Sequence, residues 1–462
     1  MKAYIVTLGC PKNLVDSEAT VSVLRRAGCD VTGDPSAADV LLVGACSFLD
    51  SSWRETVEET KKLARYKRGA KKKRLVLMGC LPNHRSEDLE GELPWVDHFL
   101  PTGAHARLAE MMSSWEQGSP VTRMLARGDA DRFAEFETRE LLTASHTAYV
   151  KVAEGCNRKC TFCAIPLIRG RQVSRGADSI VREVDHLVAR GVKEVTLLAQ
   201  DIVSYRDGAT RFPDLVDRIA RTGVEWIRIF YVHPAGLELR HVEALFAHPA
   251  VCRYLEMPVQ HSSSRVLERM QRSYDRAHVE SLLHGIRAAF PDVVIRSEVI
   301  VGFPGESDAE FEDLKRFLEE FAFDSLGVFP YSPEPGTKAP ALDGALPAGL
   351  IRDRVSDVME VQEAMSFAAR ARFADRTLRV LVDRETGDGE DVSAVSADAA
   401  NAAAASARPQ FAGRFYGQAP EIDGEVFVSG DARVGEFVDV CVTETDVFDL
   451  CGEVVPVLGT KE

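Results

Sequence analysis

The stretch "EGCNRKCTFC", residues 154–163, sets Cys156, Cys160 and Cys163 in a C-x3-C-x2-C pattern. Thiols this close reach one metal centre, yet zinc and ordinary iron–sulfur sites want four protein ligands. Three thiolates on a four-iron cluster leave one iron without a protein ligand. As at catalytic zinc, an open position is where a substrate coordinates. The spacing also suits a structural zinc site completed by a distant ligand such as His233 or His261. The context favours the cluster. Gly155 lets the backbone crowd it, and Phe162 places an aromatic ring between the last two cysteines.

Outward from this stretch, "AYVKVAEG", "EVTLLAQD", "WIRIFYV", "YLEMPVQ", "VIRSEVIVG" and "SLGVFPY" read as six strands with helices between them. That alternation implies a barrel or part of one, with reactive residues at the carboxyl ends of the strands. Gln200 and Asp201 fall at such an end, as do Gln260 and His261 and the "VGFPGE" turn with Gly302. Ser307 and Glu310 fit a capping box that starts the following helix.

Upstream, "AYIVTLG", "VLLVGA", "RLVLMG" and "VDHFLP" alternate with the helical patterns "SEATVSVLRRAG" and "WRETVEETKKLARYKR". This predicts a parallel sheet with helices on its faces. Cys10, Cys46 and Cys80 each follow one of these strands closely. Loops at the carboxyl ends of neighbouring strands converge, so these three thiols are expected to meet and hold a second cluster. The alternative is three unrelated buried thiols. Downstream of a helix near 350–374, "TLRVLVD", "GEVFVSG" and "EFVDVCVTE" alternate with period two and predict a small antiparallel β-barrel. The expected domains are 1–112, a linker at 113–143, 144–374, and 375–462. The Ala-rich segment 386–410 is expected to be disordered.

The 462 residues suit two or three domains, and 45% hydrophobic with 27% charged residues is an ordinary globular balance. No apolar run approaches the ~18 residues that span a bilayer. "MKAYIVTLGCPKN" lacks the cleavage site of a signal peptide. Ten cysteines in so long a chain are not a disulfide scaffold. A cytoplasmic location is expected. Cys29, Cys252, Cys441 and Cys451 match no ligand spacing and are expected as buried thiols.

C-x3-C-x-aromatic-C after a first barrel strand resembles the radical S-adenosylmethionine (SAM) enzymes. With the second cysteine set and a terminal β-barrel, the resemblance narrows to the methylthiotransferases and covers nearly the whole chain. It is carried by "LGCPKNLVDSE", "EGCNRKCTFCAIP", "GVFPYSPEPGT" and "APEIDG". "CPKNLVDSE" and "APEIDG" look most like the RimO type, which modifies an aspartate of small-subunit ribosomal protein S-12. The sister MiaB type modifies an adenosine in transfer RNA.

The resemblance implies an N-terminal α/β domain, a radical SAM partial (β/α)6 barrel and a TRAM-like β-barrel. It implies that Cys156, Cys160 and Cys163 hold a 4Fe-4S cluster that binds SAM. Cys10, Cys46 and Cys80 would hold an auxiliary 4Fe-4S cluster, where the sulfur to be transferred binds. One SAM would methylate that sulfur. A second, split by one electron, would supply the 5'-deoxyadenosyl radical that removes hydrogen from the aspartate β-carbon, where the methylthio group then couples. Phe162, Gln200, Asp201 and Gly302 are the implied SAM contacts, although Ile202 stands where the RimO branch usually carries Thr. No catalytic side chain beyond the cluster ligands is implied. The implied partners are protein S-12, a low-potential electron donor such as flavodoxin or ferredoxin, and a sulfur donor. The protein is expected as a monomer without a membrane. Two other readings stand beside this one: action on transfer RNA, and a non-catalytic iron–sulfur protein that docks on ribosomes.

Charge separates the substrates. Residues 377–462 hold six Lys or Arg against 17 Asp or Glu, a net −11 out of −15 for the chain. Such a barrel repels phosphates and attracts a basic protein. Against this stands "KKLARYKRGAKKKR", residues 61–74, with nine Lys or Arg. It is either an RNA contact or a solvated basic helix end. Arg414, Phe415, Tyr416 and Asp423 either touch the protein substrate or serve as core and turn residues of the barrel.

Overall fold

The computed structural model describes residues 1–47, 49–69, 72–84, 89–117, 132–133, 135–387 and 410–456. Most of the expected disordered insert, 388–409, and residues 118–131 of the expected linker lie outside the described residues. The chain divides into two compact units. One comprises Met1–Thr143, Thr147–Gly223 and Ser332–Ala341. The other comprises Ala144–His146, Val224–Tyr331 and Leu342–Glu462.

The first unit opens with a parallel sheet of strands β1 (Lys2–Thr7), β2 (Asp30–Val31), β3 (Val40–Ala45), β4 (Arg74–Gly79) and β5 (His98–Pro101), in the order β2-β1-β3-β4-β5. The four expected apolar runs all form strands; the two-residue edge strand β2 is too short to read from sequence. Every residue of β3 is buried, because helices cover both faces and successive side chains point to opposite sides. Val40 and Leu42 join Val76, Met78 and Leu100 on one face. Leu41 and Val43 join Leu75, Leu77 and Phe99 on the other. Helix α1 (Pro11–Arg26) packs Val23 and Leu24 onto the first face.

The registers Thr7↔Gly44 and Ala45↔Gly79 bring the carboxyl ends of β1, β3 and β4 level. The same unit contains the parallel pair Thr147–Lys151 and Glu194–Leu198. A short hairpin-like pairing of Ala153–Glu154 with Val173–Ser174 follows.

In the second unit Tyr254–Glu256, Val294–Val301 and Ser325–Pro330 form a parallel sheet, and Trp226–Ile229 is a further strand. All six strands expected for the central region are therefore present. Five antiparallel and parallel pairings close the terminal barrel from Thr377–Glu385, Phe411–Phe415, Val426–Ser429, Leu450–Val454 and Phe437–Thr445. Two of these strands, Phe411–Phe415 and Leu450–Val454, are not apparent in the sequence. The expectation that all four spare cysteines are buried holds for Cys29 and Cys252 and fails for Cys441 and Cys451, which are partly exposed. They alternate with the buried Val440, Val442 and Leu450, so strand periodicity turns them outward.

Candidate functional site

Cys10, Cys46 and Cys80 stand at the carboxyl ends of β1, β3 and β4, three adjacent strands. Cys10 is the extended residue that starts α1, and its carbonyl accepts from the Asn13 amide at 2.9 Å. Pro11 suits the first helical position because its missing N–H would have no intrahelical partner. The Cys80 amide donates to the Ala45 carbonyl at 3.1 Å, tying the β4 loop to the β3 loop. Gly9 has φ +84°, and a Cβ there would come within 2.5 Å of Cys46 Cβ and 3.0 Å of its Sγ. The Cys10 and Cys46 loops therefore touch only because residue 9 has no side chain.

Asn13, one turn into α1, stitches the three loops together. Its Nδ2 donates to the carbonyls of Leu8 (3.0 Å) and Ala45 (3.1 Å), and its Oδ1 lies 3.4 Å from Cys80 Sγ. Electrostatics differ among the thiols. Burial pushes Cys80 up to about 12, opposed by the Arg169 charge and raised further by Cys10 and Cys46. Burial also acts to raise Cys10, but the charges of Lys12 and Arg169 and the amides of Asn13 and Lys12 outweigh it and hold Cys10 below the ordinary thiol range. A thiol at a helix N-terminus beside cations is poised as thiolate, the form that binds metal.

The second triad lies in the same unit. Gly155, with φ +82°, turns the chain from strand Ala153–Glu154 into the cysteine loop; a Cβ there would sit 2.4 Å from the Arg171 carbonyl oxygen. The Cys156 amide donates to the Gly170 carbonyl at 3.0 Å, and the Cys163 amide to the Cys160 carbonyl at 3.3 Å. The amides of Lys338 and Ala339 clamp the loop from outside through the Thr161 carbonyl, at 2.9 and 2.8 Å. Cys156 is buried and pushed up to about 11 by that burial, while Cys160, Phe162 and Cys163 are partly exposed.

Helix Ile165–Arg169 begins two residues after Cys163 and joins the two triads. Ala164 and Ile168 pack directly on Cys80, and Asn83 donates to the Ile168 carbonyl at 2.6 Å. At the end of that helix Arg169 enters a buried cluster of two cations and two carboxylates. Lys151 Nζ lies 2.5 Å from Asp16 Oδ1 and 2.9 Å from Glu154 Oε2. Arg169 Nη1 lies 2.5 Å from Glu154 Oε1 and 3.4 Å from Asp16 Oδ2. Burial opposes the charge on Glu154, but Arg169 and Lys151 outweigh it and hold its carboxyl below the ordinary range. Asn13, Asp16, Lys151, Glu154 and Arg169 carried no expected role. The available signal was "CPKNLVDSE", whose polar residues occupy a helix that is buried along most of its length.

Beside the cysteine loop, Asp201 Oδ2 accepts from Arg158 Nε at 2.7 Å and Ser204 Oγ at 2.6 Å. Its Oδ1, and both amide atoms of Gln200, are buried without a hydrogen-bond partner among the described residues. Such groups cost free energy unless a ligand satisfies them. They suit a ligand that brings both donors and acceptors, as an amino acid moiety does. Ile202 is buried in the turn that follows.

Gly302 belongs to the second unit. Its φ is +79° and its amide donates to Glu306 Oε2 at 2.9 Å. The histidines considered for a zinc site are engaged locally: His233 Nδ1 accepts from the Ala235 amide and His261 Nδ1 from the Ser263 amide. Among the described residues, no three His, Cys, Asp or Glu side chains are drawn up as a metal-ion site. The Ser307–Glu310 capping box is present.

The barrel residues have core and turn roles. Asp423 accepts from Tyr254 OH at 2.8 Å, Arg296 at 2.9 Å and the Ala419 amide at 2.9 Å. Arg414 pairs with Asp383, and Phe415 is fully buried. In the basic stretch, Lys62 pairs with Glu59, Lys67 with Asp97, Lys73 with two backbone carbonyls, and Lys61 lies over the Trp95 ring.

Family profiles match three segments: the radical SAM superfamily over 150–318, the uncharacterized protein family UPF0004 over 2–101, and the TRAM domain over 404–455. A curated relative, "Ribosomal protein uS12 methylthiotransferase RimO" of Anaeromyxobacter sp. (strain K), is 39% identical over 98% of this chain and 93% of its own length. This chain belongs to the RimO methylthiotransferase family. The protein of the same name from Geotalea uraniireducens (strain Rf4) is 37% identical, covering 98% of both chains. Among solved structures, the radical SAM methyltransferase TsrM from Kitasatospora setae is similar with a TM-score of 0.53 and 13% identity, over 80% of this chain and 89% of that one. That likeness is one of fold. No helix among the described residues is long and apolar enough to cross a membrane.

Proposed function

We propose that this protein is a radical SAM methylthiotransferase that places a methylthio group on the β-carbon of an aspartate in ribosomal protein S-12. In this reading Cys156, Cys160 and Cys163 hold the SAM-binding 4Fe-4S cluster, Cys10, Cys46 and Cys80 hold the auxiliary one, and two SAM are used per turnover. The observation that supports it is the packing of Ala164 and Ile168, which follow Cys163 in the chain, against Cys80 within one unit. The names borne by the full-length relatives support the substrate.

When bound, the first cluster supplies the electron that cleaves SAM, and the second carries the sulfur. The chain's own part is positional. Gln200 and Asp201 Oδ1 offer unsatisfied polar atoms to the amino acid end of SAM, and Phe162 offers a ring beside the ligands. The acidic barrel steers a basic protein toward the enzyme. The domains proposed are 1–112, 144–374 and 375–462, with 113–143 as connection. A low-potential donor such as flavodoxin or ferredoxin delivers the electrons, a separate donor renews the sulfur, and the enzyme works as a cytoplasmic monomer.

Intact mass spectrometry of protein S-12 from cells with and without this gene tests the reading. A mass increase of one methylthio group on an aspartate peptide, present only with the gene, is expected. An unmodified S-12 together with methylthiolated adenosine in transfer RNA would move the substrate and sink the proposal.

A further inference from the structure

The guanidinium of Arg169 is 1% exposed and is shared between two tasks. Nη1 joins the carboxylates of Glu154 and Asp16, while Nη2 donates to Cys80 Sγ at 3.1 Å and Asn13 Oδ1 at 2.7 Å. Asn13 is itself immobilised, because its Nδ2 is committed to the Leu8 and Ala45 carbonyls. Its Oδ1 therefore guides one edge of a rigid fork whose donors cannot be redirected independently.

Lys151 alone would leave one of the two carboxylates unbalanced, and Nη1 of Arg169 completes that balance, but the balance does not require Nη2 to face Cys80. What Arg169 adds is a cation aimed at the sulfur of a ligand. Net charge and hydrogen bonds to the sulfurs set the potentials of iron–sulfur clusters. A cationic donor on a ligand sulfur stabilises the reduced form, which carries one more negative charge.

We propose that Arg169 is a positioning residue that raises the reduction potential of the auxiliary cluster through its bond to Cys80, with Asn13 holding it in place. This rests on the reading that Cys10, Cys46 and Cys80 hold a cluster.

The test uses full-length protein carrying Cys156→Ala, Cys160→Ala and Cys163→Ala, reconstituted without oxygen and titrated by EPR-monitored reduction. About four irons per chain are expected in this parent; a parent that binds no iron overturns the cluster reading itself, whatever Arg169 does. Given a loaded parent, Arg169→Met lowers the potential by about a tenfold change in the reduction equilibrium, about 59 mV for a one-electron couple. Arg169→Lys keeps the buried charge and loses the fork, and Asn13→Ala loses the guide; both shift the potential the same way by less. If both keep the parent potential, the proposal is overturned even where Arg169→Met fails to fold. Lys151→Gln disturbs the same charge cluster without touching Cys80 and is expected to lower the melting temperature while sparing the potential. A shift as large as that of Arg169→Met would assign the effect to the whole cluster and overturn the specific role.

Discussion

Nη2 of Arg169 and Sγ of Cys80 lie 3.1 Å apart although 89 positions separate the residues in the chain. Through Nη1 the same guanidinium reaches Glu154, two residues before Cys156. One side chain thus touches a cysteine of one set and a residue two positions before the first cysteine of the other.

The proposed function assigns different steps to the two cysteine sets. Cys10→Ala is expected to retain release of 5'-deoxyadenosine from SAM and to lose methylthio transfer, whereas Cys160→Ala loses both. Chromatography of the nucleoside and mass spectrometry of the S-12 product read the two steps. Full transfer by Cys10→Ala would remove the auxiliary role from that set.

Gly155→Ala is expected to be poorly tolerated. The residue has φ +82°, and its new Cβ would meet the carbonyl oxygens of Arg171 at 2.4 Å and Gly170 at 2.6 Å. The left-handed conformation alone costs about 1–2 kcal/mol, and the overlap with backbone adds to it. A lower melting temperature and reduced iron incorporation check this together.

Asp16→Ala leaves Lys151 and Arg169 buried with a single carboxylate between them. Breaking a buried pair on one side costs about 3–5 kcal/mol. Urea unfolding should register most of that loss. A change below about 1 kcal/mol, the scale of an exposed pair, would show that the cluster is open to water.

Asp423→Asn weakens the contacts with Tyr254 and Arg296 in the second unit. A loss of about 1.5–3 kcal/mol is expected for hydrogen bonds to a charged group. All six cysteines of the candidate site belong to the other unit, so iron content should not change. Calorimetry and iron analysis on one preparation decide the matter.

Acid sensitivity is expected from Glu310. Partial burial raises its pKa, but hydrogen bonds from Arg265, Ser263 and Ser307 outweigh it and hold the carboxyl below the ordinary range. A carboxyl depressed in the folded state contributes its stability above the unfolded value of about 4.3 and loses it as pH falls below that. Glu310→Gln keeps the capping box and removes the titration. The parent's melting temperature should therefore fall more steeply than the variant's below pH ~4.3; parallel curves would exclude the assignment.

The barrel shows where sequence patterning stops being informative. Thr377–Glu385 and Phe437–Thr445 are nine-residue strands with visible alternation, and both were legible. Phe411–Phe415 and Leu450–Val454 have five residues each and contain glycine, so their periodicity is too short to stand out. Their strand state comes from pairing with neighbours: Phe411 with Glu385 and Val428, Leu450 with Val426 and Thr445.

The sequence by itself determined the strand-and-helix order of both α/β regions, the placement of Cys10, Cys46 and Cys80 after three strands, and that of Cys156, Cys160 and Cys163 in one loop. Those features depend on the spacing of apolar residues and on which residue follows a strand, and both are local. Tertiary structure alone decided what lies between the cysteine sets. Arg169 meets Asp16 and Asn13 across 153 and 156 positions. A buried charge chooses its partner by which carboxylate the fold leaves within reach and out of water, and no local pattern encodes that distance.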